Sequence, residues 1–148
     1  MSRNFYSEIN LHITWHTSAD RPLLTPRIEP LTHRELRNKI VNWPGAFVHE
    51  IGGTEDHVHL AVTILPTITI SEFIGQLKGA SSHVNRQSGK GHKALEWQAG
   101  YGVVSFGTKD LEWVKAYIRN QKAHHAQGDV QDRLERITAT EDEPTHGG

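Results

Sequence analysis

The sequence predicts an α+β fold of the ferredoxin-like kind, an antiparallel sheet in the chain order βαββαβ with an additional C-terminal helix. Three observations predict it. Four segments have strand-like apolar alternation or short apolar runs. Two segments of helical apolar spacing stand after the first and third of these. A third amphipathic helix follows the last strand.

The first strand covers about residues 5–16, where Ile9, Leu11, Ile13 and Trp15 alternate with Asn10, His12, Thr14 and His16, the pattern of a half-buried strand. A connection with Pro22, Pro26 and Pro30 leads to the first helix. Its start is placed at Thr32, with Glu35 at the capping-box position and Leu31 stapling to Leu36. Leu36 and Ile40 form its inner face, and Pro44-Gly45 stops it. Ala46 to Ile51 is the second strand, and Gly52-Gly53 is expected to break it. His57 to Ile64 is the third. Thr69-Ile70-Ser71-Glu72 repeats the capping-box signature, and Ile70, Phe73, Ile74, Leu77 and Val84 keep helical spacing to about Gln87. A turn at Ser88–Gly91 precedes the fourth strand, Trp97 to Phe106, interrupted by Gly100 and Gly102. Thr108 is expected to cap the last strong helix, with Leu111, Val114 and Ile118 inward and Asp110 favourably placed for its dipole.

Residues 1–128 are thus expected to form one domain. Residues 129–148 are expected to form an acidic tail, weakly helical at first and partly disordered after Thr138. The 148 residues, 36% hydrophobic and 22% charged, suit one globular core. No apolar run approaches the length of a bilayer span, so no membrane association is expected. The first residues lack a secretory apolar region, and the absence of cysteine excludes disulfides and thiolate metal sites; both fit a cytoplasmic setting. The net charge is −1, but the six acids and two bases from Asp129 onward leave +3 on the preceding residues, a balance compatible with DNA binding without arguing for it. Eleven histidines make their spacing worth inspecting.

His57 and His59 lie two apart on the third strand, so they share a face with Ala61 and Thr63, while Val58, Leu60, Val62 and Ile64 face the core. Two imidazoles about 7 Å apart at the backbone can converge on one metal ion. Taken alone the pair is weak grounds for a metal, since two half-exposed histidines look the same. On the last helix Tyr117 and Gln121 are four apart and project from one side, which overlaps little with Val114 and Ile118. A partly exposed, amphipathic tyrosine would have the same spacing.

Three motifs in order, His57-Val58-His59, Trp97-Gln98-Ala99-Gly100-Tyr101 and Tyr117-x-x-x-Gln121, together resemble the single-tyrosine HUH transposases of small insertion sequences, including the REP-associated tyrosine transposases. The resemblance covers about residues 5–127. It implies that His57, His59 and Gln121 hold a divalent ion, Mg2+ or Mn2+, and that Tyr117 is the nucleophile. It further implies a homodimer, often with one protomer's tyrosine completing its partner's site. The implied substrate is single-stranded DNA bearing hairpins. The end of the first strand, Trp15 to Arg21, carries fewer bases than the family pattern.

Lys78, Arg86, Arg119 and Lys122 are candidate phosphate contacts, though each reads equally as a solvated charge. Trp97 and Tyr101 could stack on unpaired bases or pack in the core. His12 and His16 read as structural or surface residues. His124 and His125 could at most support the metal from behind. The competing reading is a domesticated, non-catalytic DNA-binding protein on the same scaffold; a replication or plasmid-transfer nickase is less consistent with so short a chain.

Overall fold

The computed structural model describes residues 4–84 and 95–138. Arg86, the Ser88–Gly91 turn and the tail from residue 139 lie outside the described residues. The elements are β1 (Ile9–His16), α1 (Ile28–Val41), β2 (Ala46–Thr54), β3 (His57–Ile64), α2 (Ile70–Ser81), β4 (Gly102–Phe106), α3 (Leu111–Arg119), α4 (Gln121–Gln127) and α5 (Asp132–Glu135). The sheet order is β2-β3-β1-β4 with every pairing antiparallel, the arrangement the element order predicts.

Leu36 and Ile40 of α1 and Phe73, Ile74 and Leu77 of α2 pack with Leu11, Ile13, Trp15, Val58, Leu60 and Val62 on one face of the sheet. The other face is also covered. Val114 and Ile118 of α3 pack on Ala61 there, with Phe106 beside them. Strand β1 is therefore buried on both faces, not half-buried as its alternation suggests: Asn10, His12 and Thr14 are as enclosed as their apolar neighbours.

Local signals moved in four places. Helix α1 starts four residues before Thr32, whose hydroxyl instead donates to Ile28 O from inside the helix; the amide of Ile28 donates to Thr25 Oγ1 (3.2 Å). Strand β4 begins at Gly102, and Trp97 makes only an isolated bridge to Thr17. Thr108 opens a short 3-10 turn rather than capping α3, and its hydroxyl accepts from Asn10 Nδ2 (2.9 Å). The Gly52-Gly53 pair does not end β2, which runs to Thr54. Its reason is close approach: a Cβ on Gly52 would lie 2.3 Å from the backbone oxygen of Ile118. Helix α3 thus rests directly on the bare backbone of β2. Gly52→Ala is expected to push α3 outward and cost about 1–3 kcal/mol, the usual range for overpacking. An unchanged urea midpoint would count against that contact.

The described part of the acidic segment lies against the sheet. Leu134 is buried, Arg133 donates to Ser105 O on β4 (2.5 Å), and the carbonyl of Arg136 passes so close to Gly102 that a side chain there would collide with it. This places α5 on the face that carries the histidines.

Candidate metal and tyrosine site

The register of β1 and β3 sets Thr14 opposite His59 and His16 opposite His57, on the face away from α1 and α2. There His57 and His59 are buried, at 2% and 0% exposure. Each ring is held from behind. His57 Nδ1 lies 2.6 Å from Asp56 Oδ1 and 2.9 Å from Thr54 Oγ1, and Thr54 in turn donates to Asp56. A proton on Nδ1, donated to the carboxylate, leaves Nε2 aimed at the centre of the cluster. His59 Nδ1 is 2.8 Å from His12 Nε2, so one proton between them orients both rings.

Helices α3 and α4 bring the remaining groups. Tyr117 and Gln121 do not share one continuous helix, because Asn120 (φ −102°, ψ 24°) separates α3 from α4. Both side chains nonetheless point at the sheet, and Tyr117 is buried, at 3% exposure, rather than half in solvent. Gln121 Oε1 lies 3.3 Å from His57 Nε2 and accepts from His125 Nε2 at 3.1 Å. Tyr117 stacks between Trp113 (ring centroids 5.6 Å, 14°) and His124 (4.8 Å, 25°).

The segment after Gly128 supplies, among the described residues, the one carboxylate that faces the inward ring nitrogens. Glu135 Oε1 lies 3.4 Å from His57 Nε2, 3.2 Å from His59 Nε2 and 3.2 Å from His125 Nε2. Its Oε2 accepts a short hydrogen bond from the Tyr117 hydroxyl, which also accepts from the amide of Gln131 (2.9 Å). Sequence reading missed Glu135 and gave His125 and His12 only supporting or structural roles. The spacing of His124 and His125 behind Gln121 was the only available signal.

The electrostatics follow from burial and this carboxylate. Burial pulls the His57 pKa down, but hydrogen bonds and charge from Glu135 and Asp56 outweigh it and hold the value above normal. His59 is more deeply buried, and there burial wins over Glu135, lowering it to about 4. Burial also leaves His12 well below the ordinary range. Glu135 would be raised by burial, but its contacts with His57, His59 and Tyr117 hold it well below the usual carboxylate range. Burial, reinforced by Glu135, pushes Tyr117 up to about 12, so its phenol keeps its proton in this arrangement.

The site residues expected from the sequence are thus brought together: His57, His59, Gln121 and Tyr117 form one cluster. The phosphate candidates are more scattered. Lys78 lies on α2, over the other face, and donates to Gln98 O and Gly100 O (2.8 and 3.0 Å). Arg119 pairs with Glu50 and Lys122 with Glu29, both bases staying largely exposed on the layer of the site. Trp97 is partly buried against the core, edge-on to Trp15, and donates to Ser81 Oγ (3.0 Å).

The family described as "Transposase IS200 like" matches residues 5–121, most of the chain and all of the cluster except His124, His125 and Glu135. The chain belongs to the IS200-like transposase family. Transposases for insertion sequence element IS200 from Salmonella typhimurium strain LT2 and from Salmonella typhi are each 30% identical over 99 residues. Those matches span 64% of this chain and 64% of each relative, a little under two thirds of their length. Among solved structures, one described as a transposase from Deinococcus radiodurans R1 superposes with TM-score 0.62 at 24% identity, covering 82% of this chain and 96% of that one. A REP-associated tyrosine transposase bound to a REP hairpin superposes with TM-score 0.59 at 16% identity, covering 88% and 75%. Both likenesses establish the shared α+β fold. Within the family, the chain's His57, His59, His125 and Glu135 form a group whose donor atoms lie within 4.8 Å of one another and could hold a metal ion. Among the described residues no helix is long and apolar enough to cross a membrane.

Proposed function

We propose that this chain is a transposase that cleaves and rejoins single-stranded DNA through a 5′-phosphotyrosine on Tyr117, with a divalent ion held by His57, His59 and Gln121. The observation that carries this reading is convergence: two ring nitrogens from β3 and a phenol and an amide oxygen from α3 and α4, more than fifty residues on, meet in one buried cluster. The donor set suits a divalent ion. Gln121 Oε1 stands 3.3 Å from His57 Nε2, and ligands about 2.1 Å from one ion lie about 3.0–3.4 Å apart, depending on geometry. Two imidazoles beside oxygen ligands favour Mn2+ somewhat over Mg2+.

Such an ion, when bound, neutralises charge on the scissile phosphate and polarises phosphorus. The chain supplies the rest. Asp56 and Thr54 fix the His57 ring, and His12 fixes His59, so both Nε2 atoms stay aimed inward. The Tyr117 oxygen attacks phosphorus, its proton passing to water, and the bond to the 3′ oxygen breaks, that oxygen taking up a proton from water to leave as a 3′-hydroxyl. Attack on the phosphotyrosine by another 3′-hydroxyl restores Tyr117 and rejoins a strand without ATP, because the covalent link retains the energy of the broken bond. The chain is proposed to act as a homodimer, and within one protomer the tyrosine and histidines already meet. Arg119 and Lys122, exposed on this layer, are proposed to hold phosphates, with Lys78 and Arg86 as further contacts of the same kind.

The REP-associated relative in fold is bound to a REP hairpin, so hairpin-bearing single strands from the flanks of this gene are the substrate to offer. The test is a covalent-adduct assay on that DNA with and without Mn2+. A metal-dependent adduct that survives denaturant is expected. Hairpin binding with no adduct would favour a non-catalytic DNA-binding protein instead. A second check concerns the support behind the ligands: Asp56→Asn is expected to weaken Mn2+ binding about 10–100-fold in calorimetry while the fold persists.

A further inference from the structure

Three ring nitrogens facing one carboxylate oxygen is a chemical puzzle. A neutral imidazole has one N–H. His57 uses its Nδ1 proton on Asp56, and the Nδ1 of His59 shares a proton with His12. To donate to Glu135 as well, His57 would have to become an imidazolium or switch tautomer, and His59 would need the shared proton to sit on His12. A cation at the centre satisfies the nitrogens and the carboxylate together.

We infer that Glu135 is itself a ligand of the ion, delivered by the C-terminal segment, and that it ties the Tyr117 hydroxyl to the metal site. This rests on the metal reading proposed above. The geometry argues for it directly. Glu135 Oε1 stands 3.2–3.4 Å from His57, His59 and His125 Nε2. These are the edge lengths of a coordination shell with bonds of about 2.0–2.2 Å. The chemistry argues for it as well. His57, His59 and Gln121 are all neutral donors, and magnesium and manganese are hard cations that prefer anionic oxygen. Among the described residues Glu135 adds the one carboxylate that faces the inward ring nitrogens, since Asp56 lies behind His57, and it makes the ion's retention depend on where the segment lies.

The segment is built to deliver that oxygen. Leu134 is buried beside it, Arg133 holds the carbonyl of Ser105, and the backbone of Arg136 passes over the bare Cα of Gly102. The other oxygen of Glu135 accepts from Tyr117. One side chain therefore links nucleophile, ion and C-terminal segment, and ion binding and ordering of residues 129–138 become two sides of one equilibrium.

The test uses the full-length chain and Mn2+ alone, without DNA. Mn2+ affinity is measured by calorimetry and by the electron paramagnetic resonance of bound ion for wild type, Glu135→Gln and His57→Ala. Glu135→Gln keeps the size and removes the charge, and a loss of at least about tenfold in affinity is expected. An affinity within twofold of wild type overturns the inference, and so does tighter binding, which would make Glu135 a competitor of the ion. His57→Ala separates the two readings: if it too leaves the affinity unchanged, the metal site itself is refuted, whereas a loss there with none in Glu135→Gln refutes only the role of Glu135. Should Glu135→Gln fail to fold, wild-type hydrogen exchange decides. Mn2+ is expected to slow exchange across residues 129–138, and equal exchange with and without Mn2+ overturns the inference.

Discussion

Tyr117→Phe is expected to abolish covalent attachment to DNA while leaving hairpin binding in place. The variant removes one oxygen and nothing else. Phenylalanine keeps the stack between Trp113 and His124, so the face that α3 presents to the sheet is retained. What it loses is the hydroxyl that donates to Glu135 and accepts from the Gln131 amide. Those losses cost about 1–2 kcal/mol at most, the range for a hydrogen bond whose partners can rehydrate. The protein should therefore stay folded, which circular dichroism and a melting curve can check. Loss of the nucleophile should lower strand cleavage by a factor on the order of 10⁴ or more. The contrast between binding and adduct is the informative readout. An adduct of unchanged yield in Tyr117→Phe would mean that another side chain attacks the phosphate. The burial of Tyr117 adds a second expectation: its hydroxyl is protonated and held by Glu135, so this arrangement is a resting one, and DNA must displace that hydrogen bond before attack.

How much of this site could be read in the sequence depended on the range of each contact. The two-residue period of β3 puts His57 and His59 on one face, and the four-residue spacing puts Tyr117 and Gln121 on one side, an alignment that survives the break at Asn120. Those are local facts. The burial of Tyr117 is not, since it depends on α5 closing over the cluster. The Gly52-Gly53 pair reads as a strand break because glycine usually is one; only the carbonyl of Ile118, more than sixty residues away, makes it a docking surface. Thr32 has the residues of a capping box, yet Pro30 fits within the first turn of a helix, where its missing N–H costs little, so α1 could begin at Ile28. His12 was on the right face by periodicity, but its bond to His59 joins residues 47 apart in the chain. Glu135 left no local signature at all. It stands in a four-residue helix of an acidic stretch, 76 residues from His59, and only tertiary packing turns it from a solvated charge into part of the cluster.

Mn2+ affinity is expected to rise with pH by about tenfold per unit below the pKa of His57, and to level off above it. The slope follows from which ligands carry protons in the metal-free chain. A ligand must be deprotonated to bind, so each proton displaced contributes one power of ten per pH unit. His59 is lowered to about 4 and is already neutral above that pH, so it releases nothing. Glu135 is held below the ordinary carboxylate range and is likewise already ionised. His57 alone is raised, because Glu135 and Asp56 overcome its burial, and it alone must give up a proton. The expected slope is therefore one between about pH 4.5 and the raised His57 value. A slope of two would show that His59 also titrates there, and a flat profile would remove His57 from the ligand set. Above about pH 6.5 the folded state without metal should respond in the opposite direction. A histidine whose pKa is raised on folding contributes stability below its unfolded value, near 6.5, and that contribution is lost as pH rises through the folded value. Metal-free protein should thus lose the His57 contribution between about pH 6.5 and the raised His57 value, the upper part of the range in which the ion binds more tightly; below about pH 6.5 the buried His59 and His12, both lowered, make stability rise with pH instead. Measuring melting temperature against pH with and without Mn2+ reads both trends in one experiment, and their opposition above about pH 6.5 is what a site shared between proton and metal requires.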